Sequence, residues 1–280
     1  MADSKLTAII TGGGSGMGLA VAEALTQRGN WSIHLLDMNA ESGNNAANKL
    51  EATFHQVNVA DYSSLAGAFK KIFQANRRID FVYANAGIME RGDFFEVHDT
   101  GDEPPPPFST LVVDINTTAV IQTSYLAQHY FRQTPNDGTG PRSLVITASC
   151  GGLYAVPASP VYGSSKFAAL GWTRNIASSM WEKDSVRVNA ICPGAVRTNL
   201  LAADGWDKFP QDNFVPIEKI VEVVLMLLDG DGKQANGASS GKPLIGQTVE
   251  LSGTKYYFRQ QSDYCDEAMA ATMGSTGVQG

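Results

Sequence analysis

The chain of 280 residues is 43% hydrophobic and 18% charged, the balance of an ordinary globular protein with room for a sizeable core. Its net charge of −7 comes with no basic stripe, which argues against nucleic acid and against an anionic membrane surface as partners. No apolar run reaches the length of a membrane span, and four scattered histidines with three cysteines (Cys150, Cys192, Cys265) make no metal-ligand spacing, so no metal is expected. The thiols are expected to be reduced. With no signal-peptide pattern ahead of the first strand, the expected location is cytoplasmic.

Leu6 to Ile10 (LTAII) reads as a buried strand, followed at once by TGGGSGMG (11–18) and a helical run that stops at Gly29. Strand, glycine-rich turn and helix is the context of a dinucleotide-binding loop, in which backbone amides and a helix N-terminus meet a pyrophosphate. The spacing is GxxxGxG, with Gly12, Gly16 and Gly18 as the glycines and Ser15 and Met17 between them. The second strand, SIHLLD, ends at Asp37, nineteen residues after Gly18. A carboxylate there accepts from a ribose 2′-hydroxyl and repels a 2′-phosphate. Met38 and Asn39 follow, with no Arg or Lys to hold that phosphate, so the expected cofactor is NAD.

Further along, a helix is expected over Ala40 to Leu50, a strand over Thr53 to Val59, a helix over Tyr62 to Asn76 and a strand over Asp80 to Ala84. Strands alternating with helical stretches imply βαβ units. The predicted fold is α/β, a Rossmann-type doubly wound parallel sheet with helices on both faces, in a single domain over residues 1–265. HDTGDEPPPPFS (98–109) reads as an extended surface loop, because four successive prolines forbid a helix interior. A helix containing 111–131 follows. SLVITAS is expected to be a strand ending at Ser149, VRVNAIC another, Glu218 to Leu228 a helix and Gln247 to Leu251 the last strand. The polar GDGKQANGASSGKP (230–243) reads as a mobile loop. The tail, 266–280, is expected to be partly disordered.

The run PVYGSSK places Tyr162 and Lys166 four residues apart, on one face of a helix. A tyrosine with a pKa of about 10 is no base at neutral pH. An ammonium ~4 Å away, at an effective dielectric of ~20, is worth roughly 4 kcal/mol, or about three pKa units.

Taken in order, TGGGSGMG, Asp37, ANAG (84–87), Asn116, Ser149, YGSSK (162–166) and PGAVRT (193–198) resemble the short-chain dehydrogenase/reductase family over nearly the full chain. The segments PVYGSSK, GWTR, VRVNAICPG and GQTVELSGTKYYFRQQSDY look most like its NAD-linked hydroxyprostaglandin dehydrogenases and their fungal and insect alcohol-dehydrogenase relatives. The resemblance implies that Tyr162 exchanges a proton with the substrate oxygen. Lys166 would lower the phenol pKa and hold the nicotinamide ribose, while Ser149 bonds the substrate oxygen. Asn116 would hold a water leading from Lys166 to solvent. Asn85, with Ala86 and Gly87, would brace the central strand against the adenosine ribose. Pro193, Gly194, Val196 and Thr198 would shape the nicotinamide pocket. Asn58-Val59 stands where the family often has Asp-Val, and an amide can still bond adenine.

The implied activity is transfer of a hydride between nicotinamide and a bulky lipophilic secondary alcohol or ketone, such as a lipid, steroid-like or terpenoid compound, with net oxidation expected. Leu200, Leu201, Trp206, Phe209 and Phe214 make the covering segment, about 198–216, apolar. Alternatives are a carbonyl reductase running in reverse and a non-catalytic dinucleotide-binding scaffold. A homodimer or homotetramer is implied through the helices of Asn116 and Tyr162, with Ala168, Ala169 and Gly171 permitting close approach.

Overall fold

The computed structural model describes residues 5–135, 138, 140–230 and 243–277. One sheet runs in the order β3-β2-β1-β4-β5-β6-β7-β8. Its strands are β1 (Leu6–Thr11), β2 (Trp31–Asp37), β3 (Thr53–Gln56), β4 (Phe81–Ala84), β5 (Ser143–Thr147), β6 (Arg187–Pro193), β7 (Thr248–Ser252) and β8 (Lys255–Phe258). The first seven pair in parallel, and β8 is antiparallel to β7.

All six residues of β1 are buried, as are all five of β5, because helices cover both faces of the sheet. Neighbouring residues face opposite layers: Ile10 packs with Val21 and Leu25 of α1 (Gly16–Arg28), whereas Ile9 packs with Phe69 and Ile72 of α3 (Tyr62–Asn76). The first layer also holds α2 (Ala40–Leu50) and α7 (Ile217–Asp229). The second holds α5 (Ala119–Gln133) and α6 (Pro160–Asp184). The α2 and α3 bounds coincide with the sequence reading because caps fix them: Asn39 accepts from the Ser42 N–H and Asp61 from the Ser63 N–H.

Several expectations need correction. The strand at Thr53 stops at Gln56, and Val57 to Val59 instead form a loop held by the bond from Val57 N to the Asp37 carbonyl (2.9 Å). The fifth strand stops at Thr147, two residues before Ser149. The strand at Thr248 is not the last. Gly253, at φ 52°, and Thr254 turn the chain back into β8, whose Tyr256 and Phe258 pack inward. The helix expected over 111–131 is interrupted: α4 (Leu111–Val113) passes into a π turn (Asp114–Thr118) before α5. Of the loop 230–243, residues 231–242 lie outside the described residues, as does 278–280 of the tail. The described part of the tail carries α8 (Glu267–Gly274), capped by Asp266 and with no buried residue. No helix among the described residues is long and apolar enough to cross a membrane.

Candidate active site

The glycine turn leaves β1 with Gly12 at φ 64° and enters α1 with Gly16 at φ 53°, both left-handed conformations that disfavour any side chain. A Cβ on Gly12 would stand 3.0 Å from the Ala86 Cα, so the turn lies directly on the ANAG segment. Gly14 N–H donates to Asp37 Oδ2 (3.0 Å), and Asn39 N–H donates to Oδ1 (3.0 Å), which fixes the carboxylate at the end of β2. Ser15, the N-cap of α1, makes no side-chain bond to the first turn, which leaves that helix start suited to an anionic group. Gly18 has a different part: a Cβ there would be 2.3 Å from the Gly12 carbonyl oxygen, so it closes the turn onto its own helix.

Asn85 ties three strand ends together. Its Nδ2 donates to the carbonyls of Thr11 (3.2 Å) and Gly12 (3.3 Å), and its Oδ1 accepts from the Thr147 hydroxyl (3.2 Å). Thr11 Oγ1 in turn accepts from the N–H groups of Asn85 and Ala86. These bonds join the carboxyl ends of β1, β4 and β5.

A cavity of about 310 Å³ crosses the carboxyl ends of the strands, from β3 and β2 through β1 and β4 to β5 and β6. It brings together every predicted binding and catalytic residue except Gly18 and Asn116. Met17, Met38, Asn58, Val59 and Val196 line it with the glycines, and Lys166 is the only basic residue among its described lining. Among the lining residues that the sequence reading missed are Ile88, Ile115 and Thr147. Their signals were slight: Ile88 directly follows ANAG, and Thr147 stands two residues before Ser149.

Ser149 and Tyr162 are both 8% exposed, and Lys166 4%. Ser149 Oγ accepts from the Gly151 N–H (3.0 Å) as the N-cap of a short 3₁₀ turn, so the hydroxyl is held at the floor of the cavity. Burial pushes the Tyr162 phenol above its ordinary pKa, while a hydrogen bond with Ser149 pulls the other way. The sequence led to the opposite net direction. The reason is burial, and Lys166 Nζ, 5.8 Å from the ring centre, donates to the Thr147 carbonyl oxygen (3.1 Å). Burial draws the lysine itself down to about 8.

Asn116 is fully buried in the π turn. Its Oδ1 accepts from Ile88 N–H (2.9 Å), and its Nδ2 donates to the Ile88 carbonyl (2.9 Å) and to Ser165 Oγ (3.1 Å). Both side-chain amide hydrogens are committed to protein acceptors. Gly87 leaves room for this contact, since a Cβ there would sit 3.2 Å from Asn116 Oδ1 and 3.5 Å from Lys166 Nζ. Cys150, half-buried beside Ser149, has its thiol pKa raised by burial, and Cys192 is pushed up to about 12. Neither is an activated nucleophile.

Of the five apolar residues expected to cover the substrate, Leu200 and Trp206 reach the cavity. Phe209 and Phe214 instead pack against Trp206, tilted and edge-to-face with ring centres 5.7 and 5.9 Å from it, and the Trp206 indole N–H donates to the Thr198 carbonyl (3.1 Å). On α6, Ala169 belongs to the core, so only Ala168 and Gly171 of the expected interface residues lie on the outer side. No group of three His, Cys, Asp or Glu among the described residues could hold a metal.

The family described as short chain dehydrogenase matches residues 6–208. A short-chain dehydrogenase/reductase of Penicillium rubens, prx7, is 44% identical over 275 residues, covering 94% of this chain and 97% of its own. Human 15-hydroxyprostaglandin dehydrogenase (NAD(+)) is 32% identical over 69% of each chain. Among solved structures, a 3-ketoacyl-(acyl-carrier-protein) reductase from Brucella melitensis complexed with NADH superposes with a TM-score of 0.71 at 19% identity, over 89% of this chain and 97% of that one. An alcohol dehydrogenase from Thermococcus sibiricus complexed with 5-hydroxy-NADP gives 0.69 at 22% identity, over 93% of this chain and 100% of that one. These two likenesses concern the fold. The dinucleotide-type crevice, the ordered set of motifs around it and the family match agree, and the chain belongs to the short-chain dehydrogenase/reductase family.

Proposed function

We propose that the chain is an NAD-dependent dehydrogenase of bulky lipophilic secondary alcohols, working in the direction of oxidation. The observation that carries the cofactor choice is Asp37, fixed by two backbone N–H donors at the ribose end of the crevice, with methionines rather than basic residues beside it. The printed NAD(+) dependence of the human relative supports the same reading. Bound nicotinamide supplies the hydride acceptor.

The chain's own residues do the rest. The glycine turn and the start of α1 receive the pyrophosphate, and Asp37 accepts from the adenosine ribose. Ser149 donates to the substrate oxygen, and Tyr162 takes its proton as the carbonyl forms. The Lys166 ammonium lies near the phenol, and its field, together with the positive charge that oxidised nicotinamide brings, offsets the burial that otherwise keeps the phenol protonated. Leu200 and Trp206 exclude water over the reacting carbon and favour an apolar substrate. The exposed Tyr125 and Phe167, on α5 and α6, support a homodimer or homotetramer assembled through that face. A cytoplasmic location fits the cysteines, none of which is in a disulfide.

The test is a panel of secondary alcohols (2-octanol, 1-indanol and a 3-hydroxysteroid) with NAD and with NADP, following absorbance of the reduced cofactor. Turnover with NAD that Tyr162→Phe lowers by a factor of about 10³ supports the reading. A preference for NADP, or for NADPH with the matching ketones, moves the assignment to a carbonyl reductase.

A further inference from the structure

The first turn of α6 carries the phenol, and its own N-cap does not secure it. Ser159 makes no side-chain cap bond, and Pro160 brings no N–H. Gly163 N–H is the first to find an intrahelical partner, the Ser159 carbonyl at 2.9 Å. The Tyr162 N–H is bonded from outside the helix: it donates to Glu90 Oε2 at 2.6 Å, across 72 residues of sequence. On the other side of the same residue, the Tyr162 carbonyl accepts from Ser165 Oγ (2.7 Å), which itself accepts from Asn116 Nδ2 (3.1 Å).

Asn116 also holds both main-chain groups of Ile88, two residues before Glu90. The bonds therefore close a ring: Ile88, Asn116, Ser165, Tyr162, Glu90 and back along the chain to Ile88. Ile88 lines the cavity and Tyr162 supplies its phenol, so the ring sets the distance between the cofactor wall and the proton-transferring group. Glu90 is the one link formed by a half-buried side chain on an irregular loop.

We propose that Glu90 is a positioning residue for Tyr162, acting as a carboxylate acceptor on the Tyr162 N–H and holding the first turn of α6 against the ANAG wall. It is not among the residues that line the cavity. The proposal rests on the dehydrogenase reading, and it identifies a residue that reading does not include. What matters is an acceptor oxygen at that place, so glutamine should serve nearly as well as glutamate, whereas alanine or methionine should not.

The experiment compares Glu90→Ala, Glu90→Met and Glu90→Gln with the wild-type chain. Turnover is measured with NAD and the alcohol of the panel that the wild type oxidises fastest. NAD affinity is measured by protein fluorescence, and amide hydrogen exchange is followed in the peptide spanning 160–166. Expected are a fall in kcat of about tenfold for Ala and Met, with NAD affinity within about twofold of wild type and faster exchange at the start of α6. Glu90→Gln should stay within about threefold of wild type and keep its exchange protection. The Met variant preserves the side chain's bulk should Ala not fold. Wild-type kcat in both Ala and Met, equal losses in kcat and NAD affinity, or a Gln variant as slow as Ala would each overturn the proposal. Full turnover in Tyr162→Phe would instead remove the dehydrogenase reading, and this proposal with it.

Discussion

The ammonium of Lys166 donates to the Thr147 carbonyl at 3.1 Å, one helical turn beyond the tyrosine whose ring centre lies 5.8 Å from it. Burial lowers its pKa from 10.5 to about 8. Near neutrality the amine is therefore protonated in folded and unfolded chains alike, and the folded state carries the cost of a buried charge. The size of the shift puts that cost on the order of 3 kcal/mol. It is relieved only as pH rises from about 8 towards 10.5. Lys166→Met should raise the apparent Tm at pH 7 by about 5 °C or more and lower kcat by at least about 100-fold. Differential scanning fluorimetry beside steady-state kinetics checks both, and a lower Tm at pH 7 contradicts the account.

Asp37 is fixed by the Gly14 and Asn39 N–H groups, so its charge faces the ribose end of the crevice without a competing cation. Asp37→Ser should weaken NAD binding and remove the repulsion of a 2′-phosphate. The ratio of kcat/KM for NAD over NADP should drop by at least about tenfold. An unchanged ratio means that another residue sets the preference.

His34, buried on β2, pairs with the half-buried His55 on β3. Asn76 Nδ2 donates to His34 Nε2 (3.0 Å), which leaves His34 Nδ1–H to donate to His55 Nε2 (3.1 Å). Burial lowers the His34 pKa to about 4, and lowers that of His55 as well. Above the unfolded value of 6.5 both rings are neutral in both states, and the pair's stabilisation is fully present. It is lost as pH falls from 6.5 to about 4, because the unfolded chain takes up protons first. The His34 contribution is on the order of 3 kcal/mol. Urea unfolding at pH 7 and pH 4.5 should show this loss in the wild type and a smaller one in His34→Gln. Parallel losses in the two proteins would rule it out.

Arg78 grips Asp80 through Nε and Nη2 (2.8 and 2.7 Å), and Asp80 Oδ2 also accepts from the Thr7 N–H (2.8 Å). Both side chains are at most 5% exposed. Removing one partner leaves the other charge buried, so Asp80→Ala should destabilise by about 3–5 kcal/mol. Its urea midpoint should fall while NAD affinity at low denaturant stays near wild type. A midpoint within error of wild type is the contrary result.

Local signals made much of the fold legible. Asn39 and Asp61 cap α2 and α3, Gly29 ends α1 at φ 76°, and the apolar runs of β1 and β5 announce strands covered on both faces. The crevice was legible for the same reason, since its residues sit at strand ends marked by short motifs. What stayed hidden depends on distant partners. The π turn forms where Asn116 bonds Ile88, 28 residues away, and nothing near Asn116 in the sequence announces it. The net direction of the phenol pKa follows from burial, which a spacing of four residues does not report. The hairpin into β8 was readable in principle, from Gly253-Thr254 between two runs rich in β-forming residues.

The cross-links that Asn85 makes between Thr11, Gly12 and Thr147 have a thermodynamic consequence. They set the width of the groove from within the polypeptide, before any nucleotide arrives. Association then freezes few additional torsions on this rim, so the entropy lost on docking falls mainly on the incoming molecule. An asparagine just past the carboxyl end of the fourth strand thereby acts as a spacer that keeps the mouth of the groove at one gauge.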